Sequence, residues 1–268
     1  MKTLSVLGSG MFIAPELYAR TSKPCAKKVS SDSLGILAIG VRQRGLAIAM
    51  GACHYGKMVA CCDADTSVFG KFQARLREFQ SSDPVYYTDY RKALERKDVD
   101  IVTIGTPDHW HARMIIDALG AGKDVYVEKP MTFAIEEGIA VTEAVRKSNR
   151  VVQVGTQQRS EYNKVFLKAV AIAREGILGQ KLTATAFLPT GYGGKLNVIP
   201  ITNPPDSLNW DRWCGPVPNL PYCPERCHGS WRNWVETGHG PITDWGAHHI
   251  DIAQWALGVD HTGPTEIS

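Results

Sequence analysis

From Leu34 to Thr156 the chain alternates strand-length apolar runs with helical stretches, joined by short connections. No other feature restricts its possible folds so strongly. The runs are LGILAIG (34–40), KMVACCD (57–63), PVYYT (84–88), DIVTIGTP (100–107), DVYVEKP (124–130) and VVQVGT (151–156). Helical patterns fall at about 45–55, 66–79, after Asp89, 109–122 and 135–149, with Thr66 a candidate N-cap and Gly122 a candidate stop. The first run is continuously apolar, as a strand buried on both faces should be. The alternation predicts an α/β fold, a doubly wound parallel sheet of the Rossmann type, over residues 34–155. Such sheets bind ligands beyond the carboxyl ends of their strands. Residues 40–45, 63, 105–109 and 128–130 stand at those ends, so several candidate groups converge on one rim.

The pattern changes after residue 156. A helix is expected at about 161–174, an alternating strand at KLTATAFLP (181–189) and a final helix from near Asp244. Between them runs a long stretch rich in Pro, Gly and Trp, about 190–240. These residues, 156–268, read as an incomplete α+β second domain. One strand makes no stable sheet, so its partners lie either in the long stretch or beyond the chain.

With 268 residues and 44% hydrophobic content, the chain can build a substantial core and two domains. The net charge is only +3 with no block of like charges, which speaks against nucleic acid as a partner. No apolar run reaches the length of a membrane span. Seven cysteines sit mostly in apolar runs and read as reduced core residues rather than a disulfide framework. Residues 1–33 are set apart from the fold: an apolar, small-residue stretch (3–19) precedes a polar, turn-prone one (20–32). This reads as the remnant of a twin-arginine export signal lacking its arginine pair, or as a disordered extension.

IGVRQRG (39–45) lies between the first strand and the first helix. Against the dinucleotide fingerprint G-x-G-x-x-G, Gly40 takes the first place and Gly45 the third, while Arg42 replaces the second glycine. Arg42 still offers a backbone N–H, and its side chain suits phosphate. Asp63 ends the second strand about twenty residues on, where a carboxylate takes ribose hydroxyls. The other role for Asp63 is a helix N-cap, which Asp65 or Thr66 could fill instead. A carboxylate at this place repels a 2′-phosphate and favours NAD, whereas Arg42 and Arg44 leave NADP open.

Two stretches carry proton chemistry. In DVYVEKPM (124–131) a charge pair and a proline follow a buried strand. Lys129 at the sheet's carboxyl edge can hydrogen-bond a substrate hydroxyl and shift proton equilibria in a cleft. Alternatively Glu128 and Lys129 form a routine surface pair at a strand end. In PITDWGAHHIDIAQWALG (241–258), Asp244 and His248 share a helix face, with Asp251 nearby. A carboxylate that orients an imidazole suits proton transfer, but capping by Asp244 and a core His248 would give the same spacing.

Taken in order, Thr106, Pro107 and His111, then Ala121, Gly122, Lys123 and Val125, then Glu128, Lys129 and Pro130 form a more specific set. It resembles the glucose–fructose oxidoreductase / inositol dehydrogenase / rhizopine-catabolism (Gfo/Idh/MocA) family of NAD(P)-dependent oxidoreductases, with its T-P-x-x-x-H, A-G-K-x-V and E-K-P. VGTQQRS (154–160) resembles the start of that family's second domain, and Asp244, Gly246, His248 and Asp251 match its D-x-G-x-H-x-x-D. The resemblance covers about 34–268. It implies NAD, with NADP possible, held by Gly40, Arg42, Arg44, Gly45, Asp63, Thr106, Pro107, His111, Glu128 and Lys129. It also implies catalysis and substrate binding by Lys129, Asp244 and His248. The expected activity is hydride transfer with a sugar, polyol or related carbohydrate. Some relatives with this fold resemble glycosidases that oxidise the sugar only transiently, and a cofactor-binding module without catalysis is the remaining alternative. The complete family fold implies a homo-oligomer.

Two further signals are set aside. CPERCH (223–228) has one residue too many for haem attachment, and Cys223, Cys227 and His228 have no fourth zinc ligand at the right spacing. The aromatic-rich stretch 209–234 suits sugar rings but equally suits a core.

Overall fold

A computed structural model describes residues 34–188, 199–218 and 220–266. The leader reading of residues 1–33 lies outside these residues. Six strands form one parallel sheet: β1 (Gly35–Ile39), β2 (Lys57–Cys62), β3 (Val85–Tyr87), β4 (Ile101–Ile104), β5 (Asp124–Glu128) and β6 (Val152–Gly155). Their order is β3-β2-β1-β4-β5-β6, as the strand–helix alternation predicts for a doubly wound sheet. The order reverses between β1 and β4, the place at which doubly wound sheets take their ligands.

Strand alternation fills two core layers. Leu37 and Ile39 of β1 join Val102, Ile104, Val125 and Val127 against α3 (Tyr90–Leu94), α4 (His111–Gly120) and α5 (Ile135–Ser148). Ile36 and Ala38 face the opposite way, toward α1 (Gln43–Ala52) and Phe72 and Leu76 of α2 (Phe69–Leu76). Cys61 and Cys62 are buried, and burial pushes both thiols up. The cap before α2 is Asp65, not Thr66: its carboxylate accepts the Ser67 N–H at 3.0 Å, and a 3₁₀ turn over Thr66–Val68 leads into the helix. Asp89 caps α3 in the same way, through the Arg91 N–H.

The described residues form two compact units. One draws on 34–155 and the described residues of 199–245, the other on 156–188 and 246–266. The second unit carries α6 (Val165–Arg174) and α9 (Gly246–Leu257), and Arg159 pairs with Asp251 through two hydrogen bonds of 2.7 Å. The two segments of this unit that carry family-like motifs are thereby tied together.

No strand forms over 181–188. The alternation there is real, but a strand exists only by pairing, and no described residue offers it a ladder. Most of these side chains are exposed, Phe187 at 81%.

The Trp-rich stretch belongs to the sheet's unit and contributes α7 (Trp210–Cys214) and α8 (Pro241–Asp244). It is fastened to the exit of β2. Asp65 bridges to Leu208, the Thr66 N–H donates to the Ser207 carbonyl, and the Asn209 N–H donates to that of Ala64. Its aromatics make a satellite core of Leu208, Trp210, Trp213, Tyr222, Cys227 and Trp231, with Trp210 and Trp213 stacked at 4.6 Å. Their rings fill a core rather than present a platform.

Candidate active site

The fingerprint loop closes on itself without its second glycine. Gly40 adopts φ +73°, and a Cβ there would stand 2.8 Å from Gly105 and Thr106 backbone atoms. A Cβ on Gly45 would meet the Gly40 carbonyl oxygen at 1.8 Å, and one on Gly105 the Gly45 Cα at 2.4 Å. Gly105 is therefore part of the same close approach of helix to sheet, a role the spacing of the fingerprint does not reveal. Arg42 takes the N-cap position of α1 in an extended conformation and gives no side-chain cap. The first-turn N–H groups of α1 face no acidic side chain in that turn, and Arg44 stands among them. An uncapped helix start after a glycine turn is a ready anion site. This cradle fits the pyrophosphate of a dinucleotide.

Asp63 sits just past β2 and caps no helix. Its carboxylate accepts the Val41 N–H at 2.9 Å and the Asp65 N–H at 3.0 Å, bracing the fingerprint loop. Loss of solvation on burial pushes its carboxyl up to about 6, against the pull of those two N–H donors. Asp65 is buried, and one of its oxygens meets Arg42 Nη1 at 3.4 Å and His228 Nε2 at 3.3 Å.

Glu128 and Lys129 are not a surface pair. Glu128 is 5% exposed, and its Oε1 accepts Arg44 Nε at 2.8 Å. Lys129 turns the other way. Its ammonium donates to the Asp244 carboxylate and, at 2.9 Å, to the Asp244 carbonyl. The other Asp244 oxygen meets Arg232 Nε at 3.3 Å, and the Arg232 guanidinium lies 4.3 Å over the Trp231 ring. Arg232 was hidden in the Trp-rich stretch, where nothing in its spacing marks it.

Asp108 adds a buried carboxyl to this group. Burial pushes it up to about 7, while the charges of Lys129 and Arg232 pull down and that of Asp244 pushes up. It lies within T-P-D-H-W-H, a stretch in which only Thr106, Pro107 and His111 stood out as candidates.

Thr106 and Pro107 form the exit of β4, Pro107 preceding a 3₁₀ turn over Asp108–Trp110. His111 is 1% exposed, its Nδ1 2.6 Å from the Pro130 carbonyl and its Nε2 3.0 Å from that of Thr106. It links the β4 exit to the β5 exit. His109 and Trp110 both reach the Trp213 carbonyl, at 3.0 and 2.9 Å. Among the described residues no group of three or more His, Cys, Asp or Glu is placed to hold a metal ion.

The single helix expected from Asp244 is two, parted at Trp245. The Asp244 carbonyl accepts the Lys129 ammonium. Asp244 therefore joins Lys129 in the sheet's unit. His248 stands in the first turns of α9, in the other unit, with Asp251 taken by Arg159.

Residues 35–156 match the family described as oxidoreductase family, NAD-binding Rossmann fold, and residues 164–268 match its C-terminal alpha/beta domain. The chain is 29% identical over 204 residues to an alpha-N-acetylgalactosaminidase of Shewanella oneidensis, covering 69% of this chain and 44% of that protein. It is 30% identical over 180 residues to a glycosyl hydrolase family 109 protein of Shewanella baltica, covering 65% and 39%. It thus spans less than half the length of these relatives. Among solved structures, a levoglucosan dehydrogenase in complex with NADH superimposes with a TM-score of 0.60 at 22% identity, over 84% of this chain and 54% of that one. GenD2 from gentamicin A biosynthesis, in complex with NAD, gives 0.58 at 18%, over 85% and 54%. The fingerprint cradle, the ordered T-P…E-K-P set and the two matched domains together make this chain a member of the Gfo/Idh/MocA oxidoreductase family, with an NAD-binding Rossmann domain.

Proposed function

We propose that this protein moves a hydride between a CH–OH carbon of a sugar, polyol or related carbohydrate and a nicotinamide cofactor. The observation that carries this reading is the Lys129–Asp244 pair at the carboxyl edge of β5. It stands one residue beyond Glu128, whose side chain is locked to the fingerprint helix. The cofactor, when bound, supplies the hydride acceptor or donor. The α1 N-terminus and the glycine turn suit its pyrophosphate, and Asp63 its ribose hydroxyls. Lys129 can donate a hydrogen bond to the reacting substrate oxygen while Asp244, itself paired with Arg232, fixes its position. His248 is assigned the hydroxyl proton from its place in the D-x-G-x-H-x-x-D motif.

A second reading is favoured by the curated relatives, which are named as glycosidases. In that reading the sugar is oxidised, eliminates its aglycone, adds water at the carbon that lost it and is reduced again, with no net change in cofactor. Incubation with NAD and a panel of sugars, polyols and aryl glycosides separates the two. Net NADH with a free sugar or polyol supports the dehydrogenase. Aglycone release without net NADH supports the glycosidase. Neither product, from protein shown to bind NAD, would sink both.

A further inference from the structure

The two arginines that leave NADP open by sequence are both engaged by buried carboxylates. Arg44 is held by Glu128 at 2.8 Å. Arg42 is held by Asp65 at 3.4 Å, and the Asp65 side chain is only 4% exposed. Asp65 is itself fixed from several sides. Its Oδ1 accepts the Ser67 N–H at 3.0 Å, its Oδ2 faces both Arg42 and His228, and its backbone pairs with Leu208. The aspartate cannot easily swing away to release the arginine.

The geometry points to Asp65 as a residue that selects NAD over NADP, by holding Arg42 and by placing a second carboxylate beside that of Asp63. This inference rests on the nucleotide-binding reading of the cradle and deepens it. A 2′-phosphate would carry about two negative charges. It would meet two carboxylates two residues apart in the chain, and the nearest arginine would be shared with one of them. Hydrogen bonds from Ser67 keep Asp65 ionised despite burial, and His228 is held below the usual histidine range, first by burial and then by the charge of Arg42. Arg42 and His228 share the Asp65 Oδ2, and of the two Arg42 carries the side chain that suits a phosphate. Because Arg42 is 42% exposed, its pairing is weak enough to be redirected once the carboxylate loses its charge.

The test is calorimetric binding of NAD and NADP to the full chain, as wild type, Asp65→Asn, and Asp65→Asn with Arg42→Ala. Asn keeps an oxygen for the Ser67 N–H and removes the charge. The wild type is expected to prefer NAD, and Asp65→Asn to bind NADP about tenfold more tightly with NAD little changed. Adding Arg42→Ala should remove that gain. Unchanged NADP affinity in Asp65→Asn, or a gain that survives loss of Arg42, would overturn the proposal. Asp65→Ser provides a second neutral cap, and failure of both variants to fold would also overturn it, since Asp65 would then serve the fold before selectivity. A wild type that binds neither nucleotide would instead refute the cofactor site itself.

Discussion

Arg44, in the first turn of the fingerprint helix, donates its Nε–H to Oε1 of Glu128, the last residue of β5, at 2.8 Å. The residues are 84 positions apart, yet the bond joins the element that suits the pyrophosphate to the strand that delivers Lys129. Glu128 is buried and Arg44 only partly so, which makes removal of the carboxylate the sharper probe. Glu128→Gln keeps the shape and drops the charge. It is expected to lower stability by about 1–2 kcal/mol and weaken NAD binding severalfold. Thermal unfolding and calorimetry measure the two effects, and an unchanged melting temperature would remove the role given to this pair.

Lys129 is held by Asp244, while Asp244 keeps Arg232 as a second cation. Deleting the lysine charge therefore leaves the aspartate partnered. Lys129→Met is expected to fold, to bind NAD within about threefold of wild type and to lose turnover by about 10²–10⁴-fold. Lys129→Arg should not restore activity, because a planar fork cannot replace a point donor. Single-turnover kinetics on whichever substrate the panel yields would decide this. Full activity in Lys129→Met would end the assignment.

Most of the sheet was legible because buried parallel strands are continuously apolar and need helical crossovers. Each of the six strands lies within one of the six runs. The second half was less legible. KLTATAFLP has the period of a strand, but period cannot supply a pairing partner, and residues 181–188 are irregular. The Trp-rich stretch showed composition without periodicity. Nothing in it announced that Ser207 and Leu208 dock on the exit of β2, or that Arg232 reaches Asp244. Lys129 and Asp244 were each readable from local motifs. That they share a site was implied only by the family resemblance, because 115 residues separate them and neither local motif shows the contact.

Gly105 offers a test of the fingerprint's close packing. A Cβ there would overlap the Gly45 Cα at 2.4 Å, and both neighbours are backbone that cannot rotate away. Gly105→Ala should force helix and sheet apart, costing about 1–3 kcal/mol and abolishing NAD binding at micromolar cofactor. Gly51→Ala, where an added Cβ meets nothing within 4 Å, is the matched control and should be neutral or slightly stabilising. Similar behaviour of the two variants in denaturant titrations would contradict the packing argument.

Asp108 gives the molecule a stability that depends on pH. Burial pushes its carboxyl up to about 7, well above the value of about 4 in an unfolded chain. An acid raised on folding binds its proton more tightly in the native state, so stability falls as pH rises between those two values. Above about 7 the cost of the buried charge is present in full. Asp108→Asn removes that cost and should leave the protein near wild type at about pH 4.5. At about pH 8 it should be more stable by on the order of 2 kcal/mol, several degrees in melting temperature. Asp63, pushed up to about 6, has the same sign and would leave a residual slope below that value in the variant. Melting curves collected from about pH 4 to 9 would show the two profiles converging at the acidic end. Parallel profiles would mean that Asp108 keeps an ordinary carboxylate value, through the nearby charges of Lys129 and Arg232.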